Sequence, residues 1–163
     1  MSTARLDVAT AEQMEALGRR IGALLRAGDL VILRGELGAG KTTLTRGIGE
    51  ALGVRGPITS PTFVLSRVHP PAQPGATAPL VHVDAYRLAD ARELDDLDLD
   101  FDGSVVVVEW GDGLLDGVSD SWLHVTIDRG GGAGTAGGAG EEDDTPRRVE
   151  LEFVGPRWAG AAW

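Results

Sequence analysis

A chain of 163 residues with 42% hydrophobic content is long enough to bury one core, and we expect a single domain spanning 1–163. Its formal net charge of −10 argues against direct binding of DNA or RNA, because phosphate backbones are held by clustered lysine and arginine. The absence of cysteine excludes disulfides and thiolate chemistry, and without a signal peptide or membrane-spanning run we expect a cytoplasmic protein with no membrane contact.

The first two predicted elements are a helix and a buried strand. Thr10 and Gln13 have the spacing of a capping box, and the apolar residues that follow recur on one helical face, which predicts a helix from about Thr10 to Ala27. The run LVIL after Asp29 is short, rich in valine and isoleucine, and stops at Gly35. It predicts a strand buried on both faces, as in a parallel sheet.

The segment GELGAGKT follows this strand and opens a second predicted helix, which ends by Gly53. It matches the phosphate-binding pattern G-x-x-x-x-G-K-[ST] through Gly35, Gly40, Lys41 and Thr42. The glycines let consecutive backbone N–H groups point inward, and the helix N-terminus adds partial positive charge. We expect Lys41 to reach the β- and γ-phosphates of a nucleotide and Thr42 to offer its hydroxyl to Mg²⁺.

Lys41 is the only lysine in the chain, and the other fourteen basic residues are arginine. A planar guanidinium cannot replace a compact ammonium among phosphate oxygens, which gives a chemical reason for lysine at this one position. A GTPase needs a further lysine in its Asn-Lys-x-Asp guanine-binding sequence, and this chain has none. We therefore expect the nucleotide to be ATP.

Five further strands are predicted in the segments TFVLSRV, LVHVDAY, SVVVVEW, WLHVTIDR and RRVELEFV. The acidic segment DARELDDLDLD, between the second and third of these, indicates a helix. The alternation predicts an α/β fold of the P-loop NTPase type. We expect a mostly parallel central sheet with helices on both faces and antiparallel strands toward the C-terminus.

Two carboxylates end predicted strands. Asp84 closes LVHVD and Glu109 closes VVVVE. A carboxylate at the carboxyl end of a buried strand, beside a phosphate-binding turn, is well placed to bind Mg²⁺ and to orient an attacking water. Asp84 and Glu109 are therefore candidate catalytic residues together with Lys41.

Asp98, Asp100, Asp102, Gly103 and Glu109 also match the pattern of a calcium-binding EF-hand loop. An EF-hand requires a helix leaving the loop, whereas the four valines before the glutamate are typical of a strand. We therefore expect no calcium site.

The remaining features have ordinary interpretations. A proline-rich loop spans 69–79, and the glycine-rich, acidic segment 130–146 cannot bury apolar area, so we expect a disordered insert there, with docking on a basic partner as the alternative. His69, His82 and His124 lack metal-ligand spacing and are expected to be core or surface residues. Trp110 is expected to pack beneath the site, with contact to nucleotide or a partner as the alternative.

The segments GELGAGKTTLTRG, SPTFVL, HVDAYRL and VEW resemble, in order and spacing, those of the TsaE family, the small bacterial P-loop ATPases of tRNA threonylcarbamoyladenosine biosynthesis. The resemblance covers roughly Thr10 to Arg129. It implies that Thr42 and Glu109 are Mg²⁺ ligands, that Asp84 is needed for activity, and that 60–62 and the Asp84 segment act like nucleotide-sensing switches. It also implies a phosphate loop formed by Glu36, Leu37, Gly38, Ala39, Gly40, Lys41, Thr42 and Thr43.

By the same resemblance, the protein is an Mg²⁺-dependent ATPase that drives or resets the threonylcarbamoyltransferase complex of TsaB and TsaD, and these partners hold the tRNA. The sequence offers no obvious arginine finger, so we expect slow intrinsic ATP hydrolysis that partners raise. Two alternatives remain open. A P-loop small-molecule kinase would consume ATP when a metabolite is present, and an ATP-gated binding module would bind partners without hydrolysis.

Overall fold

The computed structural model describes residues 2–36, 38–56, 58, 66–73, 75–85, 99–110, 119–128 and 146–160. Within these ranges, seven strands form one sheet and two α-helices pack on it. The strands are β1 (Ser2–Val8), β2 (Leu30–Gly35), β3 (Ser66–His69), β4 (Leu80–Asp84), β5 (Val105–Glu109), β6 (Trp122–Asp128) and β7 (Arg147–Val154). The helices are α1 (Ala11–Gly22) and α2 (Lys41–Leu52), and a 3₁₀ helix spans Pro156–Trp158.

The sheet is mixed, with strand order β1-β7-β6-β2-β5-β4-β3. The three central pairings, which join β6, β2, β5 and β4, are parallel. The three outer pairings are antiparallel, including the predicted one between β6 and β7. The α/β class is confirmed, whereas parallel pairing is confined to the centre of the sheet and does not dominate it.

One strand and one helix end differ most from the predictions. The pattern did not indicate β1, which lies at the sheet edge and gains its hydrogen bonds from β7, with Ser2 opposite Phe153. Helix α1 begins as predicted, with the Thr10 hydroxyl accepting from the Gln13 N–H at 3.1 Å, but it ends at Gly22 instead of Ala27. Tight turns that carry the chain into the core replace its last predicted residues.

Both helices lie on one face of the sheet. Their apolar residues share one core with the inward-facing residues of the strands, among them Met14, Leu17, Ile21, Leu44, Ile48, Val31, Leu33, Val105 and Val107. The other face presents a second apolar cluster, including Ile32, Val83 and Val108, against which Leu99 and Phe101 pack. The helix predicted over 90–100 lies outside the described residues except for its last two positions, and the insert predicted over 130–146 lies outside them except for its last residue.

Helices α1 and α2 approach each other at glycines. A Cβ added at Gly18 would overlap the Leu44 carbonyl oxygen, and one added at Gly47 would overlap the Glu15 carbonyl oxygen. The backbones therefore touch where no side chain can fit, which sets how α2 sits on the sheet. Neither described helix is long and apolar enough to cross a bilayer.

Replacing Gly47 with alanine is expected to lower the free energy of unfolding by about 2–4 kcal/mol, even after the gain in helix propensity. The added Cβ would also lie 2.9 Å from the Arg19 amide nitrogen, and backbone atoms cannot rotate away. Gly56→Ala is the matched control, because a Cβ there meets only the Ile58 amide nitrogen at 3.9 Å. Denaturant titration giving the same stability for both variants would contradict this close helix contact.

Candidate functional site

Three parallel strands end beside the N-terminus of α2. In the register of the sheet, Asp84 of β4 lies opposite Glu109 of β5, and Glu109 lies opposite Leu33 of β2. Side chains alternate between faces along a strand, and Val105 and Val107 of β5 belong to the core beneath α2. Glu109 and Asp84 therefore face α2, and both carboxylates are buried.

The loop between β2 and α2 bends through two glycines in the left-handed region, Gly38 with φ 80° and Gly40 with φ 115°. Glycine adopts these angles without the strain that a Cβ would bring. The Gly40 carbonyl accepts the first bond of the helix, from the Leu44 N–H at 2.9 Å. The N–H groups of the three residues between them have no carbonyl partner within the helix, so this end of α2 can donate to an anion.

Lys41, the first residue of α2, lies at the centre of the site and is only 8% exposed. Its ammonium donates to the Gly35 carbonyl and lies 3.9 Å from Glu109 Oε1 and 4.5 Å from the centre of the Trp110 ring. Burial lowers the pKa of Lys41, and the negative charges of Glu109 and Asp84 oppose that shift. The lone lysine thus joins the loop to the strand-end carboxylates.

Trp110 has φ 62° and is the only non-glycine residue with positive φ in the part of the chain that the structure describes. Its N–H donates to the Leu33 carbonyl at 2.9 Å, which holds this turn against β2. The strained backbone lets the indole ring contact the Lys41 ammonium directly after Glu109 has ended the strand. Trp110 therefore packs against the site, as predicted, and a cation–π contact is part of that packing.

His82 is a site residue that the sequence pattern did not reveal. It is fully buried, as expected for a core histidine, but its Nε2 lies at hydrogen-bond distance, 2.7 Å, from Glu109 Oε2. The interpretation as an ordinary core histidine is therefore incomplete. The signal available in the sequence is the spacing HVD, which puts His82 and Asp84 on the same face of β4.

Arg147 is a second such residue. Its Nε donates to the Ala39 carbonyl at 2.9 Å and its Nη2 donates to the Gly38 carbonyl at 3.2 Å. Across a trans peptide the Gly40 N–H points away from the Ala39 carbonyl, so these bonds hold that N–H toward the opposite side of the loop. The contact joins residues that are 108 positions apart in the sequence, and no local motif predicts it.

The donor atoms that the site brings together suit magnesium. Asp84 and Glu109 lie opposite each other at the ends of β4 and β5, the Thr42 hydroxyl belongs to the first turn of α2, and all three groups are hard oxygen ligands that could hold such an ion. Among the described residues no three histidine, cysteine or acidic side chains form a metal cluster.

The other predicted positions divide into two groups. Glu36 is exposed at the end of β2, and Thr43 lies in the first turn of α2 with Thr42. Leu37 of the phosphate loop and the segment 60–62 lie outside the described residues. The EF-hand interpretation is excluded, because Val105–Glu109 forms β5 where that loop would need a helix.

Comparison with known proteins gives three concordant results. The family model of the threonylcarbamoyl adenosine biosynthesis protein TsaE matches residues 8–134. The Streptomyces coelicolor protein described as tRNA threonylcarbamoyladenosine biosynthesis protein TsaE is 54% identical to this chain, and the match covers 91% of this chain and 95% of the relative. The Bacillus subtilis protein with the same description is 37% identical, and the match covers 90% of this chain and 84% of the relative. The crystal structure of Bacillus subtilis YdiB matches with a TM-score of 0.72 at 28% identity, covering 98% of this chain and 90% of that chain.

Proposed function

Because this chain belongs to the TsaE family of threonylcarbamoyladenosine biosynthesis proteins, we propose that it is an Mg²⁺-dependent ATPase that supports threonylcarbamoylation of adenosine in tRNA. The observation that carries the proposal is the placement of the Lys41 ammonium between the Gly35 carbonyl, where β2 ends and the loop begins, and Glu109. A buried cation beside free helix N–H groups suits a polyphosphate, and a carboxylate beside it suits the metal that accompanies one.

The chain's own residues supply binding and positioning. The first-turn N–H groups of α2 and the loop N–H of Gly40 hold the β-phosphate, and Lys41 neutralises charge that grows on the γ-phosphate. The acids Asp84 and Glu109 orient the water that attacks the γ-phosphorus as its bond to the bridging oxygen breaks. Thr42 and Glu109 would hold Mg²⁺, and the metal would supply further neutralisation of phosphate charge.

The arrangement supports a P-loop NTPase fold. The strand, loop and helix that carry the motif are β2, the glycine turn and α2, and β5 with Glu109 pairs directly with β2. Arg147, an arginine that the described structure places against the loop, donates to the carbonyls of Gly38 and Ala39. Its role is therefore to hold the loop, and we expect hydrolysis to be slow until a partner is bound.

We further propose that the partners are TsaB and TsaD, and that hydrolysis drives or resets their complex while they hold the tRNA. Phosphate release should be slow for this protein alone and rise by an order of magnitude or more with TsaB, TsaD and tRNA. The measurement is steady-state release of inorganic phosphate in each mixture. Fast release by the isolated protein would contradict the partner dependence.

Measuring ADP, phosphorylated products and partner binding alongside phosphate in the same mixtures separates the two alternative functions. A small-molecule kinase would yield ADP without free phosphate, in an amount matched by a stable phosphorylated metabolite. An ATP-gated binding module would bind TsaB and TsaD only with ATP and release no phosphate. Either pattern would overturn the ATPase proposal.

A further inference from the structure

The carboxylate of Glu109 is held from two sides. Its Oε2 accepts from His82 at 2.7 Å, whereas its Oε1 lies 3.9 Å from the Lys41 ammonium. The two oxygens therefore have separate partners. Oε2 is hydrogen-bonded to a residue of the core, and Oε1 faces the cation of the proposed phosphate site.

The hydrogen bond has only one sensible direction. An ionised carboxylate accepts and cannot donate, so the proton must reside on His82 Nε2. Both residues sit on central strands, with His82 opposite Val107 and hence one diagonal step from Glu109. Because β4 and β5 are paired strands inside the sheet, the backbone positions of both residues are fixed without the help of any loop.

A histidine at this position is costly for the core. His82 is fully buried between the apolar positions Leu80 and Val107, and its Nδ1 has no hydrogen-bond partner in the described structure. A buried polar atom left unpaired destabilises a protein, and a leucine would fill the site without that loss. The contact with Glu109 supplies a reason for histidine that packing does not.

We propose that His82 is a positioning residue for Glu109. By holding Oε2, it keeps the carboxylate from turning and leaves Oε1 directed at the side where Lys41 and the phosphates meet. Without it, the flexible glutamate side chain samples other rotamers, and fewer of them serve the metal. The inference rests on the proposed function, since it assigns His82 to the same Mg²⁺-dependent step.

Three variants test the proposal. His82→Leu removes the donor and keeps an apolar volume, whereas His82→Gln restores an N–H that can reach Glu109. His69→Leu is the matched control, because His69 is also buried, lies on the adjacent strand and likewise has a ring nitrogen without a hydrogen-bond partner in the described structure. Thermal unfolding of each variant reports whether the core is intact.

The first readout is ATP binding, measured by calorimetry with and without Mg²⁺. We expect the gain in ATP affinity that Mg²⁺ confers to fall about tenfold or more in His82→Leu, to recover in His82→Gln and to persist in His69→Leu. Affinity for metal-free ATP should stay within about twofold in all three, because the loop and Lys41 are untouched. Parallel loss of both affinities in His82→Leu, or no loss, would overturn the positioning role.

The second readout is kinetic, in the presence of the partner proteins. The kcat of His82→Leu should fall about 10–100-fold with little change in the KM for ATP, and His82→Gln should regain most of it. If the glutamine variant is folded yet as slow as the leucine variant, the proposal fails.

The third readout needs no turnover, so it stands if the ATPase proposal itself fails. Nitrogen-15 NMR of the imidazole should show His82 protonated at Nε2, with a resonance that shifts in Glu109→Gln. Protonation at Nδ1 alone, or no response to Glu109→Gln, would refute the hydrogen bond on which the inference depends. A wild-type protein inactive with its partners, but with these NMR signals, would instead refute the proposed function.

Discussion

Replacing Lys41 with alanine is expected to abolish ATP hydrolysis, with kcat/KM falling by about a thousandfold or more. The ammonium donates to the Gly35 carbonyl at the start of the loop and lies 3.9 Å from Glu109 Oε1. Lys41→Arg is expected to lose nearly as much although the charge is retained. The ammonium lies against the Gly35 carbonyl and the Trp110 ring, and a larger, planar guanidinium cannot reproduce its compact contacts among phosphate oxygens.

The control for this substitution is Arg5→Lys, a basic exchange on β1 where the side chain is 74% exposed and pairs with Glu150. It should leave turnover and stability unchanged, since exposed ion pairs contribute little. Because Lys41 is the only lysine, an amine-reactive reagent can modify one side chain besides the chain terminus, and ATP should protect it. Full turnover in either Lys41 variant would refute the assigned role.

The parts of the site that could be predicted are those encoded locally. The glycine turn, Lys41 and Thr42 lie within eight consecutive residues, so a strand and a helix on either side suffice to place them. Asp84 and Glu109 were within reach because parallel strands end at one edge of a sheet. Neither inference needed the strand order.

The contacts that could not be predicted depend on that order. His82 bonds to Glu109, 27 residues away, only because β4 and β5 are neighbours in one particular register. Arg147 reaches the loop because β7 runs antiparallel to β6, which returns its first residue to the edge where β2 ends. A one-residue slip in either pairing would turn these side chains to the opposite face.

The strands also divide into those that their own sequence predicts and those that depend on their neighbours. Continuous apolar runs such as the four valines of β5 predict buried central strands, and these are the parallel ones. Strand β1, with an exposed and partly buried pattern, carries no such signal and depends on pairing with β7. The sequence therefore predicts a smaller share of antiparallel pairing than the sheet contains.

Replacing Glu109 with glutamine is expected to lower kcat about 100–1,000-fold while leaving the structure nearly unchanged. Glutamine has the same shape, and its amide oxygen can still accept from His82, so the substitution removes charge and little else. Metal-free ATP should bind as tightly or more tightly, because a carboxylate 3.9 Å from Lys41 repels phosphate. Phosphate release and calorimetric ATP binding, with and without Mg²⁺, measure the two effects separately.

Substitutions at two further carboxylates show whether the fall in kcat of Glu109→Gln comes from the position of the carboxylate or only from the loss of a buried charge. Asp84→Asn, at the adjacent strand end, should also slow turnover, because Asp84 faces the same side of the sheet. Asp29→Asn is the matched control, since Asp29 is equally buried but precedes β2 at its opposite end, where Arg157 donates to it at 2.9 and 3.0 Å. That variant should be less stable, because it weakens a largely buried ion pair, yet it should retain kcat. If Asp29→Asn loses turnover as fully as Glu109→Gln, or if Glu109→Gln keeps it, the strand-end carboxylates are not the catalytic acids.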